Sequence, residues 1–205
     1  MFNGGQSCCA VERVYAHADV YDAVLAGLVE AASAFKVGDP GAEGTYLGPL
    51  CLPTAPAFLQ AQVDDAVAKG ATVHCGGSLE LSPDRRPTDR FYPPTVLSGV
   101  THDMTIMRDE SFGPVIGVMR VGSDDEAVDL MNDTEFGLTA AVFTKDQEAG
   151  AALLKRVNSG TAFLNCCDRV SPFSPWSGRG GSGLGTTLGK IGIASFTQPK
   201  AYHMR

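Results

Sequence analysis

The sequence predicts an α/β fold with a mostly parallel sheet covered by helices on both faces. Three observations lead there. Short runs rich in Val, Ile and Leu alternate along the chain with stretches of helical periodicity. These runs are almost continuously apolar, as in strands buried on both faces, rather than alternating as in strands with one wet side. Gly, Pro, Asp and Ser punctuate the junctions between them.

Taken in order, residues 10–17 hold a first strand-like stretch around Val14-Tyr15-Ala16. From Asp19 onward Val20, Val24, Leu25, Leu28 and Ala32 recur at steps of three and four, an amphipathic helix running through Phe35 and ended by Gly38 and Pro40. A second helix fits 55–69, with Phe58, Val63 and Val67 on or near one face and Gly70 where helix C-termini favour glycine. Residues 71–75 form a short strand, and 76–90, rich in Gly, Ser, Pro, Asp and Arg, a surface loop. Strands then fall at 95–97, 114–121, 138–144 and 161–166, with helices at 124–132 and 146–158. The stretch 173–192 is dense in glycine, and 195–202 reads as a closing extended strand.

The 205 residues suffice for one well-cored domain, and no linker or internal repeat divides them. With 44% hydrophobic and 19% charged residues the composition is that of an ordinary globular chain. A net charge of −7, with the basic residues scattered, argues against a nucleic-acid partner. No apolar run reaches the roughly 18–20 residues of a membrane span, and the start lacks a signal-peptide pattern, so a cytoplasmic location is expected. Six cysteines without a secretory signal are expected to be reduced thiols, and neither they nor the four histidines show metal-ligand spacing.

Chemistry is most densely written at Asn3-Gly4-Gly5-Gln6-Ser7-Cys8-Cys9. A cysteine in a glycine-flanked loop has little crowding, backbone N–H groups free to point inward and room for a substrate carbonyl. Alone, a cysteine is more often a small buried thiol. The pattern Asn-x-Gly-Gln-x-Cys, followed after a short gap by Arg13-Val14, resembles the cysteine signature of the aldehyde dehydrogenase superfamily. There the cysteine two places after Gln attacks the aldehyde, which selects Cys8 and makes Cys9 its neighbour. A second stretch, Asp109-Glu110-Ser111-Phe112-Gly113-Pro114-Val115, resembles the family's Glu-x-Phe-Gly-Pro-Val motif. The resemblance implies that Glu110 holds the nicotinamide ribose hydroxyls and that Phe112 packs by the nicotinamide ring. Both residue types suit the task, since a carboxylate can accept two hydrogen bonds from a diol and an aromatic ring can wall one face.

Further matches continue in family order: Gly48-Pro49-Leu50, Gly70 to Val73, Gly137 to Ala140, Gly160 to Asn165, and the glycine-rich end with Phe196, Thr197 and Lys200. The resemblance therefore covers essentially the whole chain. Asn165, Asp168 and Phe173 fall where the family lines the approach to the cysteine. Ser174-Pro175-Trp176 departs from the usual Gly-Gly-aromatic-Lys, and Trp176 offers a wall for a bulky substrate, ordinary packing or a subunit contact. Gly178-Arg179-Gly180-Gly181-Ser182-Gly183 satisfies Gly-x-Gly-x-x-Gly, but that fingerprint needs a strand before it and an acidic residue about 20 positions on. No residue after Gly183 is acidic, so it reads as a loop.

The activity implied is oxidation of an aldehyde to a carboxylic acid with NAD or NADP, through a thiohemiacetal and a thioester on Cys8. The family's last strand pairs across a subunit interface, which implies a homo-oligomer, a dimer or tetramer, with 1–192 as the catalytic domain and 193–205 as the oligomerisation strand. Family members carry a dinucleotide-binding domain, an oxyanion-hole asparagine and a water-activating glutamate before the cysteine motif. With Cys8 so close to Met1 these are expected to be absent here, and Glu12 lies too near, on the outgoing strand, to replace the base. Three functions stay open: the catalytic half of a dehydrogenase, acting alone or with a separate cofactor-binding chain; a truncated oligomerising or regulatory module; and a cysteine-dependent esterase.

Overall fold

A computed structural model describes residues 1–79, 90–167 and 169–205. The chain divides into two compact units, Met1–Ala127 and Val128–Arg205. The first holds β1 (Arg13–His17), α1 (Tyr21–Ser33), α2 (Ala55–Ala68), β2 (Thr72–Cys75), β3 (Thr95–Ser98) and β4 (Val115–Val121). The division falls inside α3 (Asp124–Asn132), and the second unit continues with β5 (Thr139–Val142), α4 (Gln147–Leu154), β6 (Thr161–Leu164) and α5 (Gly189–Ala194).

In the first unit the strands are ordered β1-β4-β3-β2. β4 runs parallel to both β1 and β3, with Val14 opposite Val118 and Leu97 opposite Gly117. β2 is antiparallel to β3, which makes the sheet mixed at that edge. Because side chains alternate across a strand, consecutive residues feed opposite faces. Leu97 and Val115 enter one cluster with Leu59, Val63 and Ala66 of α2, together with Ile106 and Met107. Val96, Ile116 and Val118 enter the other, against Leu25, Leu28 and Val29 of α1. Helices thus cover both faces, and the continuous apolarity of 115–118 is explained by burial of all four residues.

The packing face of α2 is rotated from the one expected. Phe58 and Val67 are each 48% exposed, whereas Leu59, Val63 and Ala66 are buried. Spaced at i, i+4 and i+7, these three make the narrow stripe that meets the sheet, and the two larger apolar residues flank it. α2 is capped at Lys69, and Gly70 after it adopts a left-handed φ of +99°, its N–H reaching Val67 O.

In the second unit β5 and β6 form a parallel pair, so the strands are hydrogen-bonded as a four-stranded and a two-stranded sheet rather than as one. α4 covers the pair, its Gly150 fitting against Leu164, Thr144 and Val142. The helix stops at Leu154, short of the expected 158. The Asn132 side chain bonds Arg156 O and Asn158 N–H, holding that segment as a turn.

The tail also differs from the reading of 195–202 as a strand. The Ser195, Phe196 and Thr197 amides donate to carbonyls of Ile191, Ile193 and Ala194, so these residues complete the last turn of α5. Residues 198–205 form no strand ladder among the described residues of this chain. The Gly-x-Gly-x-x-Gly stretch is a turn, with Ser182 N–H on Arg179 O and Gly183 N–H on Gly180 O. Of the surface loop expected at 76–90, residues 80–89 lie outside those described. No helix among the described residues is long and apolar enough to cross a membrane.

Candidate active site

The cysteine loop starts as a short 3-10 turn, Phe2–Gly5, in which Asn3, Gly4 and Gly5 all have positive φ. Asparagine tolerates that region and glycine enters it freely. Gln6 then fixes the loop in two directions: its Nε2 donates to Asn3 O at 3.1 Å and its Oε1 accepts the Cys51 N–H at 2.7 Å. A turn closed by Ala10 N–H on Ser7 O at 2.9 Å follows, and it separates the two adjacent cysteines. Cys8 is exposed, whereas Cys9 is 5% exposed with its Sγ 3.3 Å from Ser7 Oγ. All six cysteines are unbridged.

The segment that resembles the family's second motif sits against this loop. A Cβ on Gly5 would overlap the carbonyl oxygen of Gly113, and one on Gly113 would overlap the Leu59 side chain. Glycine at both positions lets the cysteine loop meet the 110–114 segment at backbone distance and lets the Leu59 side chain of α2 pack directly on that segment. Glu110 is exposed, and Phe112 is 41% exposed, although the three residues that follow, Gly113, Pro114 and Val115, are buried. Phe112 has a φ of +50°, a left-handed backbone that costs an aromatic residue about 1–2 kcal/mol.

What holds that backbone is Glu12. Its Oε1 accepts the Phe112 N–H at 2.9 Å and its Oε2 the Ser111 N–H at 3.1 Å. Burial pushes the Glu12 carboxyl above its ordinary range, and the Glu110 charge adds to this. The two amides and Arg13 pull the other way. Arg13 reaches Met107 O at 2.9 Å, and Glu12 O accepts the Gly117 N–H, so the start of β1 grips the 107–117 segment at several points.

In the sequence Glu12 is only a poor candidate for the general base, too near Cys8 on the outgoing strand. Its partners lie about a hundred residues downstream, and no local pattern announces them. Gln6 and Arg13 are legible as motif members, but their bonds to Cys51 and Met107 are not.

The structure joins the Cys8 loop to Glu110 and Phe112 within the first unit. Asn165 and Phe173 belong to the second. Asn165 follows β6 with a φ of +55°; its N–H donates to Val142 O at 2.9 Å and its Oδ1 accepts the Thr144 N–H at 2.8 Å, closing the end of the β5–β6 pair. Phe173 is 90% exposed, and Trp176 pairs with Thr187 through two backbone bonds. Asp168 lies outside the described residues.

Glu110 and Phe112 are both exposed and sit on one anchored segment, where a carboxylate can accept from a diol and an aromatic side chain can wall one face of a planar ring. Among the described residues no cluster of His, Cys, Asp and Glu is arranged to hold a metal.

Known proteins resemble this chain in sequence and fold. The chain is 39% identical over 198 residues to a succinate-semialdehyde dehydrogenase (NADP+) of Mycobacterium ulcerans, covering 97% of this chain and 42% of that one. A succinate-semialdehyde dehydrogenase (NADP+) of Deinococcus radiodurans is 40% identical over 198 residues, covering 97% and 40%. The fold superposes on a betaine aldehyde dehydrogenase of Staphylococcus aureus solved with NAD+, at a TM-score of 0.87 and 31% identity over 95% of this chain and 39% of that one. An aldehyde dehydrogenase of Bacillus cereus gives a TM-score of 0.89 at 32% identity, over 97% and 39%. The chain spans about two-fifths of the length of the curated relatives it matches. The aldehyde dehydrogenase family model matches residues 1–202, and the chain belongs to that family.

Proposed function

We propose that this chain is the cysteine-bearing catalytic portion of an aldehyde dehydrogenase that oxidises an aldehyde to a carboxylic acid with NAD or NADP. The observation that carries the reading is the contact of Gly5 with Gly113, which ties the exposed thiol of Cys8 to the segment presenting Glu110 and Phe112. Addition of the Cys8 thiolate to the aldehyde carbon makes a thiohemiacetal; loss of hydride leaves a thioester, which water cleaves to the acid and the thiol. Glu110 and Phe112 would hold the nicotinamide riboside, and a bound nicotinamide supplies the hydride acceptor. The Mycobacterium ulcerans relative is named an NADP+ enzyme and the Staphylococcus aureus structure holds NAD+, and the cofactor of this chain is read as one or the other. Asn165, Asp168 and Phe173 are read as lining the substrate approach, in a cytoplasmic homo-oligomer or beside a separate cofactor-binding chain.

The test separates the thiol from the cofactor. The chain and its Cys8→Ala variant are incubated first with an activated ester and then with a panel of aldehydes plus NAD or NADP. Acylation and cofactor reduction that both vanish in the variant support the reading. Equal reaction in the two proteins overturns it, and Cys8-dependent multiple turnover of the ester to free acid without any cofactor reduction assigns the chain to ester hydrolysis instead.

A further inference from the structure

The Glu12 carboxylate spends both oxygens on two consecutive amides, Ser111 and Phe112, of the segment presenting Glu110 and Phe112. It lies four residues after Cys8, on the same outgoing chain. A charged acceptor placed on two adjacent N–H groups fixes two consecutive peptide planes relative to each other, which a single bond does not. The second of these planes leads into Phe112, whose backbone is left-handed and which is exposed. Resting on the cofactor reading above, we infer that Glu12 is a positioning residue: it locks Glu110 and Phe112 in register with the Cys8 loop, so that the nucleophile and the nicotinamide riboside are presented as one rigid unit.

Glu12 need touch neither substrate nor cofactor for this. The neighbouring bonds, Arg13 to Met107 O and Gly117 N–H to Glu12 O, hold the segment to β1 but leave its 111–112 amides unanchored. The orientation of Glu110 and Phe112 therefore depends on the Glu12 side chain. Without it, Phe112 is free to leave the left-handed region for a commoner backbone angle and carry its ring away. Glutamine keeps one acceptor oxygen and sets an NH2 against the second amide, so Glu12→Gln should retain about half of the anchoring.

The experiment compares the wild-type chain with Glu12→Gln and Glu12→Ala, checking each by thermal unfolding and circular dichroism. Amide hydrogen exchange at Ser111 and Phe112 reads the clamp. The dissociation constant for reduced nicotinamide mononucleotide, followed by its fluorescence, reads the consequence. In Glu12→Ala the two amides should exchange at least tenfold faster and the dissociation constant should rise at least fivefold, with Glu12→Gln between on both. If Glu12→Ala does not fold, Glu12→Gln against wild type carries the comparison. Unchanged exchange overturns the clamp. Faster exchange with an unchanged dissociation constant overturns its role in positioning. A wild-type chain that does not bind the mononucleotide overturns the cofactor reading, and this inference with it, whatever the exchange rates.

Discussion

Gly5 lies so close to the carbonyl oxygen of Gly113 that a single methyl group at Gly5 would occupy the same space. The contact joins two segments more than a hundred residues apart, and Gly5 makes it with a φ of +73°. Gly5→Ala therefore meets a rigid backbone oxygen and a left-handed backbone together. It should cost about 2–4 kcal/mol of stability, read as a lower urea midpoint. The loss should be accompanied by faster exchange of the amides at 111–113; a normal midpoint would mean that the loops part without cost.

Cys8 and Cys9 differ in access, the first exposed and the second 5% exposed against Ser7. Limiting iodoacetamide should label Cys8 in preference to Cys9, and Cys8→Ala should remove that label. Cys9→Ala should leave the Cys8 label in place at a stability cost of about 1 kcal/mol, as for a small buried side chain. Peptide mass spectrometry distinguishes the two, and preferential labelling of Cys9 would contradict the placement of this turn.

Phe112 carries both backbone strain and an exposed ring. Phe112→Gly relieves the left-handed strain and should raise stability by up to about 1 kcal/mol. It should also weaken nicotinamide mononucleotide binding about three- to tenfold, the size of a lost stacking contact. Higher thermal stability with poorer binding is the expected pair of results; a stability loss would show that the ring packs rather than waits for a ligand.

Burial raises the Glu12 carboxyl above its ordinary value of 4.5, so the folded chain holds this proton more tightly than the unfolded one. Its contribution to stability is fully present below 4.5 and is lost as pH rises through the raised folded value. Relative to Glu12→Gln, which does not titrate, wild type should lose thermal stability as pH climbs through that window. Asp65, held below its usual range by the Thr105 amide and then by Lys69, and Asp103, held down by the Thr101 hydroxyl, work in the opposite sense: their contribution is lost only as pH falls below 3.8. A wild-type minus variant difference that stays flat across the window would remove Glu12 as the group responsible.

Gln62 is 3% exposed on the buried face of α2, and neither atom of its amide has a hydrogen-bond partner among the described residues. Replacing it with Leu, of similar volume, removes the desolvation cost of an unpaired amide and should stabilise the chain by about 1–3 kcal/mol. Urea unfolding checks this; a lower midpoint would mean that a partner satisfies the amide in solution.

Local pattern determined much of this protein. The sequence determined the run of strands and helices from 13 to 164, because each strand is apolar enough to be read alone and each helix carries its own period and punctuation. It also singled out Cys8, Glu110 and Phe112 as candidates for the nucleophile and the cofactor contacts, because the motifs around them resemble those of the family to which the chain belongs. Only the tertiary structure decided the antiparallel edge β2, the separation of β5–β6 from the four-stranded sheet, the rotation of α2 onto Leu59, Val63 and Ala66, and the helical start of 195–197. Each of these depends on which surface is opposite, and that information is not local. The same holds for Glu12: a carboxylate beside a cysteine motif has no visible task until folding places two amides from a distant segment within 3.1 Å of it.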